Sequence, residues 1–155
     1  MNSQFMKRAI ELAIGNVRTG NGGPFACIIE KGGAVLAEGT NLVTSTNDPT
    51  AHAEIVAIRN ACSKLKSFQL DNCDLYTTCE PCPMCLGAIY WSRPAHVFYA
   101  ANAADAASAG FDDAFIYKEL SRPPADRHIP MTQLMREESL SVFEAWKTAA
   151  IKKRY

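Results

Sequence analysis

The sequence predicts a single α/β domain spanning residues 1–155, with both antiparallel and parallel strand pairs. Two apolar segments separated by Lys31-Gly32-Gly33 predict an antiparallel hairpin near the start of the chain. Segments of helical composition then alternate with short apolar segments, an order typical of parallel strands joined through helices. A chain of this length buries about 70% of its extended surface, so it forms a core without a disulfide framework.

The individual elements follow from hydrophobic period and turn chemistry. Apolar residues at helical spacing predict a first helix over residues 4–18, and glycines from Gly20 onward end it. A polar loop over residues 42–50 follows the hairpin. The other predicted elements are strands at 25–30, 34–41, 75–78 and 96–100, helices at 51–65 and 82–91, a short helix ending at Leu120, and a final helix at 139–153.

Composition narrows the class of function. The chain carries 16 Lys+Arg and 16 Asp+Glu, which argues against a dedicated polyanion binder and predicts no nucleic-acid partner. No hydrophobic stretch has the length of a membrane span, and charges interrupt the apolar residues at the N-terminus. Six cysteines without a secretion signal predict reduced thiols in a cytoplasmic protein, with no membrane partner.

Three residues have the types and spacing of a catalytic metal site. Cys82 and Cys85 stand one helical turn apart at the start of a predicted helix, a spacing at which two thiolates bind one tetrahedral ion. His52, in the first turn of the helix predicted over residues 51–65, supplies a third ligand. Three protein ligands leave one position for water, which distinguishes a catalytic zinc site from a closed structural one. The sequence therefore predicts one zinc ion held by these three residues.

Glu54 is the predicted proton carrier. It lies two residues after His52, and on a regular helix two such side chains diverge by about 200°, given 3.6 residues per turn. Both serve one site only if the N-terminal end of the helix faces the metal. Zinc lowers the pKa of a bound water from ~16 toward ~7, and a nearby carboxylate then transfers the proton.

Other interpretations of these residues stay open at this point. Cys82 and Cys85 alone also fit a redox motif, although no second Cys-x-x-Cys accompanies them. Cys79 is an alternative ligand, and Glu54 is either a fourth ligand or an ordinary surface carboxylate.

The motif His52-Ala53-Glu54 with Pro81-Cys82-Pro83-Met84-Cys85 resembles the signature of the cytidine deaminase superfamily. Within that superfamily, residues 47–50, 86–91 and 109–113 resemble bacterial guanine deaminases. The resemblance implies a three-layer α/β/α sandwich around a five-stranded mixed sheet, with one zinc ion per subunit.

The resemblance also implies roles for individual residues. Asp113 would face the 2-amino group of guanine and act as a second acid/base beside Glu54. The implied substrate-binding residues are Phe25, Asn41, Ala53, Trp91 and Tyr155. Asn41 would hydrogen-bond the purine, and Phe25 and Trp91 would supply apolar walls. The implied assembly is a homodimer whose C-terminal segments cross, so that Tyr155 closes the partner's pocket.

The predicted reaction is hydrolysis of guanine to xanthine and ammonia, with attack at C2 and proton transfer from Glu54 to N3. No phosphate-binding glycine loop or arginine cluster is evident, which favours a free base over a nucleotide. The alternatives are a tRNA adenosine deaminase, an enzyme acting on cytosine or a triazine amine, and a non-catalytic zinc-binding module.

Overall fold

The computed structural model describes residues 2–153. Its elements are α1 (Ser3–Thr19), β1 (Ala26–Lys31), β2 (Ala34–Thr40), α2 (Val43–Thr46), α3 (Ala53–Leu65), β3 (Cys73–Cys79), α4 (Pro83–Ser92), β4 (His96–Ala101), α5 (Ala103–Ser108), α6 (Ala114–Leu120), a 3-10 turn (Pro124–Asp126) and α7 (Arg136–Thr148). They fall into two compact units, Met1–Asp113 and Ala114–Tyr155. Within the described part of the chain, no helix has the length and apolarity needed to cross a membrane.

The sheet of the first unit is mixed, as predicted. Its strand order is β2-β1-β3-β4. Strand β1 pairs antiparallel with β2 and with β3, whereas β3 pairs parallel with β4. Because β2 and β3 both run opposite to β1, their C-terminal ends lie at the same edge of the sheet as the N-terminal end of β1. This edge carries the residues of the candidate site.

The prediction of a five-stranded sheet is wrong for the described residues, which form four strands. After β4 the chain forms the short helix α5, and the second unit contains helices but no strand over residues 114–153. Pro123, Pro124 and Pro130 interrupt this region, and proline lacks the backbone N–H that a central strand must donate. The outer edge of β4 therefore has no strand partner within residues 2–153.

The two faces of the sheet carry separate apolar clusters. On one face, Cys27, Ile29 and Leu75 pack with buried residues of α3 and α4. On the other face, Ile28 and Tyr76 pack with Phe5 and Ala9 of α1, and β4 adds Phe98. Side chains alternate across a strand, so neighbouring residues of β1 serve opposite clusters. The first unit is therefore the predicted α/β/α sandwich of three layers.

Helix α3 lies unusually close to β2. Ala53, Ala57 and Ala61 recur every fourth residue and are fully buried, which places one face of small side chains on the sheet. At Gly39 of β2, an added Cβ would lie 2.3 Å from the carbonyl oxygen of Ala53 and 2.5 Å from the amide nitrogen of Ala57. The backbone of α3 is therefore in direct contact with the backbone of β2 at this position.

Most predicted elements are confirmed, with shifts at their ends. Helix α1 ends at Gly20, whose φ of 71° is the left-handed conformation that glycine adopts without strain. The loop predicted over residues 42–50 contains the short helix α2. The last helix, predicted over 139–153, spans Arg136–Thr148 instead. Glu137 and Glu138 stand in its first turn, where carboxylates favour helix initiation.

The second unit buries none of its residues over 114–153. Its large apolar side chains are instead exposed: Phe115, Tyr117, Leu120, Ile129, Met131, Leu134, Met135, Leu140, Val142, Phe143, Trp146 and Ile151. Such a concentration of exposed apolar side chains is typical of a surface that another chain or ligand covers.

Candidate active site

The predicted metal ligands lie together. Nδ1 of His52 is 3.5 Å from Sγ of Cys82 and 3.5 Å from Sγ of Cys85. Two ligands of one tetrahedral zinc ion, at the usual Zn–S and Zn–N bond lengths, lie about 3.6 Å apart. All three ligand atoms fall within 4.8 Å of one another, and no fourth side chain among the described residues joins this group. The donor set therefore fits zinc with one open position.

Helix termini set this geometry. His52 is the N-cap of α3 and has extended backbone angles, φ −68° and ψ 155°, so the prediction that it stands in the first helical turn is wrong. Cys82 is the N-cap of α4, with φ −63° and ψ 166°, and Pro83 begins the helix. Cys85 follows within the first turn. The ligand atoms of the two N-cap residues lie 3.5 Å apart, so the N-terminal ends of α3 and α4 face the same point.

The two thiols share one proton when no metal is bound. The hydrogen bond with Cys85 lowers the pKa of Cys82 to about 4, and His52 adds to this effect. The same hydrogen bond, with burial and the charge of Glu54, raises the pKa of Cys85 well above the usual range of a thiol. The hydrogen bond with Cys82 also raises the pKa of His52. A preformed thiolate favours metal binding at neutral pH.

Glu54 is buried beside the ligands and is not a member of the ligand group. It is 6% exposed, which is rare for a carboxylate and requires a hydrogen-bond partner. Thr77 of β3 donates its hydroxyl to Oε1 of Glu54 at 2.8 Å. Oε2 lies 3.4 Å from Sγ of Cys85. One carboxylate oxygen is thus held by the sheet, and the other faces the ligand set.

Asn41 follows β2 at the same edge of the sheet and is buried. Its side-chain oxygen accepts hydrogen bonds from the backbone N–H groups of Gly23 and Val43, both at 3.3 Å. These two donors fix which end of the amide is the oxygen. Its side-chain NH₂ group is therefore the end that a ligand acceptor would meet.

The loop before β1 is packed tightly against Asn41. Nδ2 of Asn16, a buried residue of α1, donates to the carbonyl oxygens of Gly23 and Asn41 at 2.9 Å each. An added Cβ at Gly22 would lie 2.0 Å from the carbonyl oxygen of Asn41. The position of Asn41 therefore depends on close contacts with this loop.

Phe25 and Asp113 also lie near this end of the first unit. The ring of Phe25 packs edge-on against Phe111, with centroids 4.9 Å apart. Burial raises the pKa of Asp113, and the negative charges of Cys82, Asp112 and Glu80 raise it further. Asp113 is therefore within electrostatic reach of a metal ligand.

Trp91 and Ala53 are the other predicted site residues that the structure describes. Trp91 is 64% exposed and lies about 12 Å along the axis from the start of α4, at 1.5 Å per residue. Ala53 is fully buried in the apolar core. Tyr155 lies outside the described residues. Substrate contacts by these three residues stay predictions.

Thr77, Asn16 and Phe111 contact Glu54, Asn41 and Phe25 respectively, although the sequence pattern did not predict a role for them. The signal for Thr77 was a hydroxyl on a strand face otherwise occupied by Cys73, Leu75 and Cys79. Asn16 gave the same signal, since a polar side chain continues the buried face of α1. A polar residue in an apolar stripe requires a partner, and here the partner belongs to the site.

Comparison with known proteins identifies the family. Residues 1–101 match the family model described as "Cytidine and deoxycytidylate deaminase zinc-binding region". A guanine deaminase of Bacillus subtilis is 60% identical over 97% of each chain. The crystal structure of guanine deaminase from Bacillus subtilis superposes with a TM-score of 0.98, covering 100% of this chain and 99% of that one.

Two further relatives are less similar to this chain. Guanine deaminase from Nitrosomonas europaea is 30% identical, with a TM-score of 0.67 over 94% of this chain and 84% of that chain. A tRNA-specific adenosine deaminase of Haemophilus influenzae is 37% identical, over 65% of this chain and 58% of its own length. The chain therefore belongs to the cytidine and deoxycytidylate deaminase family and matches a guanine deaminase over nearly its whole length.

Proposed function

We propose that this protein is a zinc-dependent hydrolase that converts guanine to xanthine and ammonia. The observation that carries the choice of substrate is the match to the guanine deaminase of Bacillus subtilis over 97% of both chains. The zinc motif alone does not select guanine, because tRNA-specific adenosine deaminases share part of the sequence. The match to the guanine deaminase also includes the C-terminal third.

His52, Cys82 and Cys85 are the proposed zinc ligands. When bound there, zinc activates a water by lowering its pKa from ~16 toward ~7. The chain itself supplies the geometry, because the N-terminal ends of α3 and α4 converge on the ligand atoms. These helix ends also carry partial positive charge, which favours the thiolates. The redox interpretation of Cys82 and Cys85 has no support from a disulfide, since all six cysteines are free.

Glu54 is the proposed proton carrier. It is absent from the ligand group and has Oε2 on the side of Cys85. A carboxylate in this position takes the proton of the attacking water and donates it to N3 of guanine. It then accepts the remaining proton, from the new hydroxyl at C2, and donates it to the leaving amine. Burial keeps bulk water from competing for these protons.

Asp113 is the proposed second acid/base. Its raised pKa means that it holds a proton to a higher pH than an ordinary aspartic acid. A carboxylate at this position accepts a hydrogen bond from the 2-amino group, takes one of its protons and returns the same proton as ammonia leaves, so that the amine gains only the proton from Glu54.

Phe25 and Asn41 are the proposed contacts to the purine. The NH₂ group of Asn41 donates to an acceptor on the ring, because two backbone N–H groups already occupy its oxygen. The ring of Phe25, supported edge-on by Phe111, forms an apolar wall. Stacking of a base on an aromatic side chain contributes about 1–3 kcal/mol.

The proposed assembly is a homodimer in which the C-terminal segment of each chain completes the partner's site. Two observations support it: residues 114–153 bury no side chain, and the outer edge of β4 lacks a strand partner within residues 2–153. A second copy of the chain would cover both features. Six free cysteines fit the reducing cytoplasm, which stays the predicted location.

Ammonia release from a panel of guanine, adenine, cytosine and guanosine tests the proposal, with Glu54→Ala as the matched variant. We expect release from guanine by the wild type, and a loss of at least about 100-fold in the variant. Zinc content is measured in both, because Glu54→Ala should retain the metal. Equal rates in the two proteins would reject catalysis by this site.

A tRNA substrate is tested separately. The balance of 16 Lys+Arg and 16 Asp+Glu disfavours a polyanionic substrate. Incubation with a tRNA anticodon stem at moderate salt should yield no inosine. Editing of the stem without turnover of guanine would replace the proposal with the tRNA adenosine deaminase.

A further inference from the structure

We propose that Thr77 is a positioning residue, which holds the carboxylate of Glu54 in the orientation needed for proton transfer. This inference rests on the proposed function, since it assigns Glu54 a proton to carry. Its starting point is the hydrogen bond of 2.8 Å from the Thr77 hydroxyl to Oε1 of Glu54. Both residues are buried, with exposures of 0% and 6%.

Thr77 is a rigid donor because of its place in the fold. It lies on β3, between β1 and β4, and is paired in register with Cys27 on one side and Tyr99 on the other. The backbone of Thr77 is therefore held by neighbouring strands on both sides. As a β-branched residue it also has a restricted side-chain rotamer. The hydroxyl thus has a fixed position relative to the sheet.

Among the described residues, little else near Glu54 can hold it. Burial raises the pKa values of Cys27 and Cys79, and the nearby charge of Glu54 raises them further, but a thiol is only a weak hydrogen-bond donor. Oε2 lies 3.4 Å from Sγ of Cys85, a longer contact with a weaker donor. Among the described residues, the Thr77 hydroxyl is therefore the strong neutral donor to the carboxylate.

The two carboxylate oxygens of Glu54 therefore have different roles. Oε1 is anchored to the sheet, and Oε2 faces the ligand set, where the proton is received and delivered. To transfer protons, Glu54 must reach the attacking water, N3 of the ring and the leaving amine from a single position of its carboxylate. Displacement of a reacting group by about 1 Å is enough to lower a rate by about 100-fold. Loss of the anchor should therefore reduce turnover more than substrate binding.

Two substitutions separate the hydroxyl from the shape of the side chain. Thr77→Val keeps the volume and the strand preference but removes the donor. Thr77→Ser keeps the donor and removes a methyl group. We expect Thr77→Val to lower kcat by about 10- to 100-fold with KM and zinc content within about 2-fold of wild type. Thr77→Ser should restore most of the loss.

Thr78→Val is the matched control. Thr78 is the next residue of β3, faces the opposite side of the sheet and accepts a hydrogen bond from the backbone N–H of Ala26. Removing this structural hydroxyl should leave kcat within about 3-fold of wild type. If Thr77→Val does not fold, the comparison of Thr77→Ala with Thr77→Ser isolates the same hydroxyl.

The outcomes are distinct. Wild-type kcat in Thr77→Val, equal losses in the valine and serine variants, or a loss confined to KM would each overturn the positioning role. If the wild type turns over another base of the panel and not guanine, the substrate proposal fails and the Thr77 comparison is made with that base. If no base is turned over, both proposals fall.

Discussion

The carbonyl oxygen of Asn41 occupies the space beside Gly22 so closely that an added Cβ would lie 2.0 Å from it. This contact couples the loop before β1 to the residue proposed to hydrogen-bond guanine. We therefore predict that Gly22→Ala displaces Asn41 and raises KM for guanine by about 10-fold or more, the equivalent of about 1.4 kcal/mol of binding. Steady-state kinetics and thermal unfolding measure both effects.

Gly15→Ala is the control for this substitution. Gly15 lies within α1, and an added Cβ there meets nothing within 4 Å. Alanine is favoured over glycine in a helix by about 1 kcal/mol, so this variant should be as stable as wild type or more stable, with unchanged KM. Unchanged KM in Gly22→Ala would show that the loop does not position Asn41.

The number of protons released when zinc binds should increase as the pH falls. Cys82 has a pKa of about 4 and is already a thiolate at pH 7, whereas Cys85 holds its proton far above that pH. At a pH above the raised pKa of His52, we expect release of about one proton, from Cys85. As pH falls through the raised pKa of His52, the number should approach two, because the imidazole must also lose its proton.

Titration calorimetry of the chelator-stripped protein, in buffers of different ionisation enthalpy, measures this number. Cys62→Ser is the control, since Cys62 lies outside the ligand group. Release of two protons at a pH where the imidazole of His52 is neutral would mean that both thiols begin protonated. Reloading with zinc should also restore the activity that the chelator removes.

Asp113 gives a prediction about the pH profile. Asp113→Asn should lower kcat by about 100-fold or more, as expected for removal of an acid/base group. Asp112→Asn removes a neighbouring negative charge that raises the pKa of Asp113. Its kcat at the optimum should be near that of wild type, but the limb due to Asp113 should move to lower pH. A limb that does not move in Asp112→Asn assigns that ionisation to another group.

A mixing experiment tests the proposal that the C-terminal segments are exchanged between the two subunits of a dimer. Glu54→Ala and Tyr155→Ala chains should each be inactive alone if Tyr155 completes the partner's site. Random assembly of the two chains yields one intact site in each mixed dimer, or about a quarter of the wild-type activity. A mixture of Glu54→Ala with the double variant is the control and should stay inactive. No recovery in the first mixture would place Tyr155 and Glu54 of one chain in the same site.

The metal site was predictable because its chemistry restricts residue type and spacing. Only a few side chains bind zinc, so residue type and spacing alone were enough to select His52, Cys82 and Cys85. Their backbone conformation was not predictable in the same way. Sequence period places His52 in a helical turn, whereas the structure makes it an extended N-cap. One residue at a helix end decides the direction of a side chain, and helix ends are the least certain feature of a hydrophobic pattern.

Contacts between distant segments could not be predicted from local pattern. Thr77 and Glu54 are 23 positions apart, and only the packing of α3 on the sheet brings them together. The five-stranded sheet came from the family resemblance, and the described part of the chain forms four strands. Trp91 lies in the resembling segment 86–91, but it stands at the far end of α4 from the ligands.

The direct contact of α3 with β2 at Gly39 has a consequence for the position of the reaction centre. The spacing between helix and sheet is set by main-chain atoms of Ala53 and Ala57, which every amino-acid sequence shares. The start of α3 beside His52 is therefore held against the sheet by contacts that involve no large side chain. The absence of a side chain at Gly39 thus sets where the helix that carries Glu54 lies on the sheet.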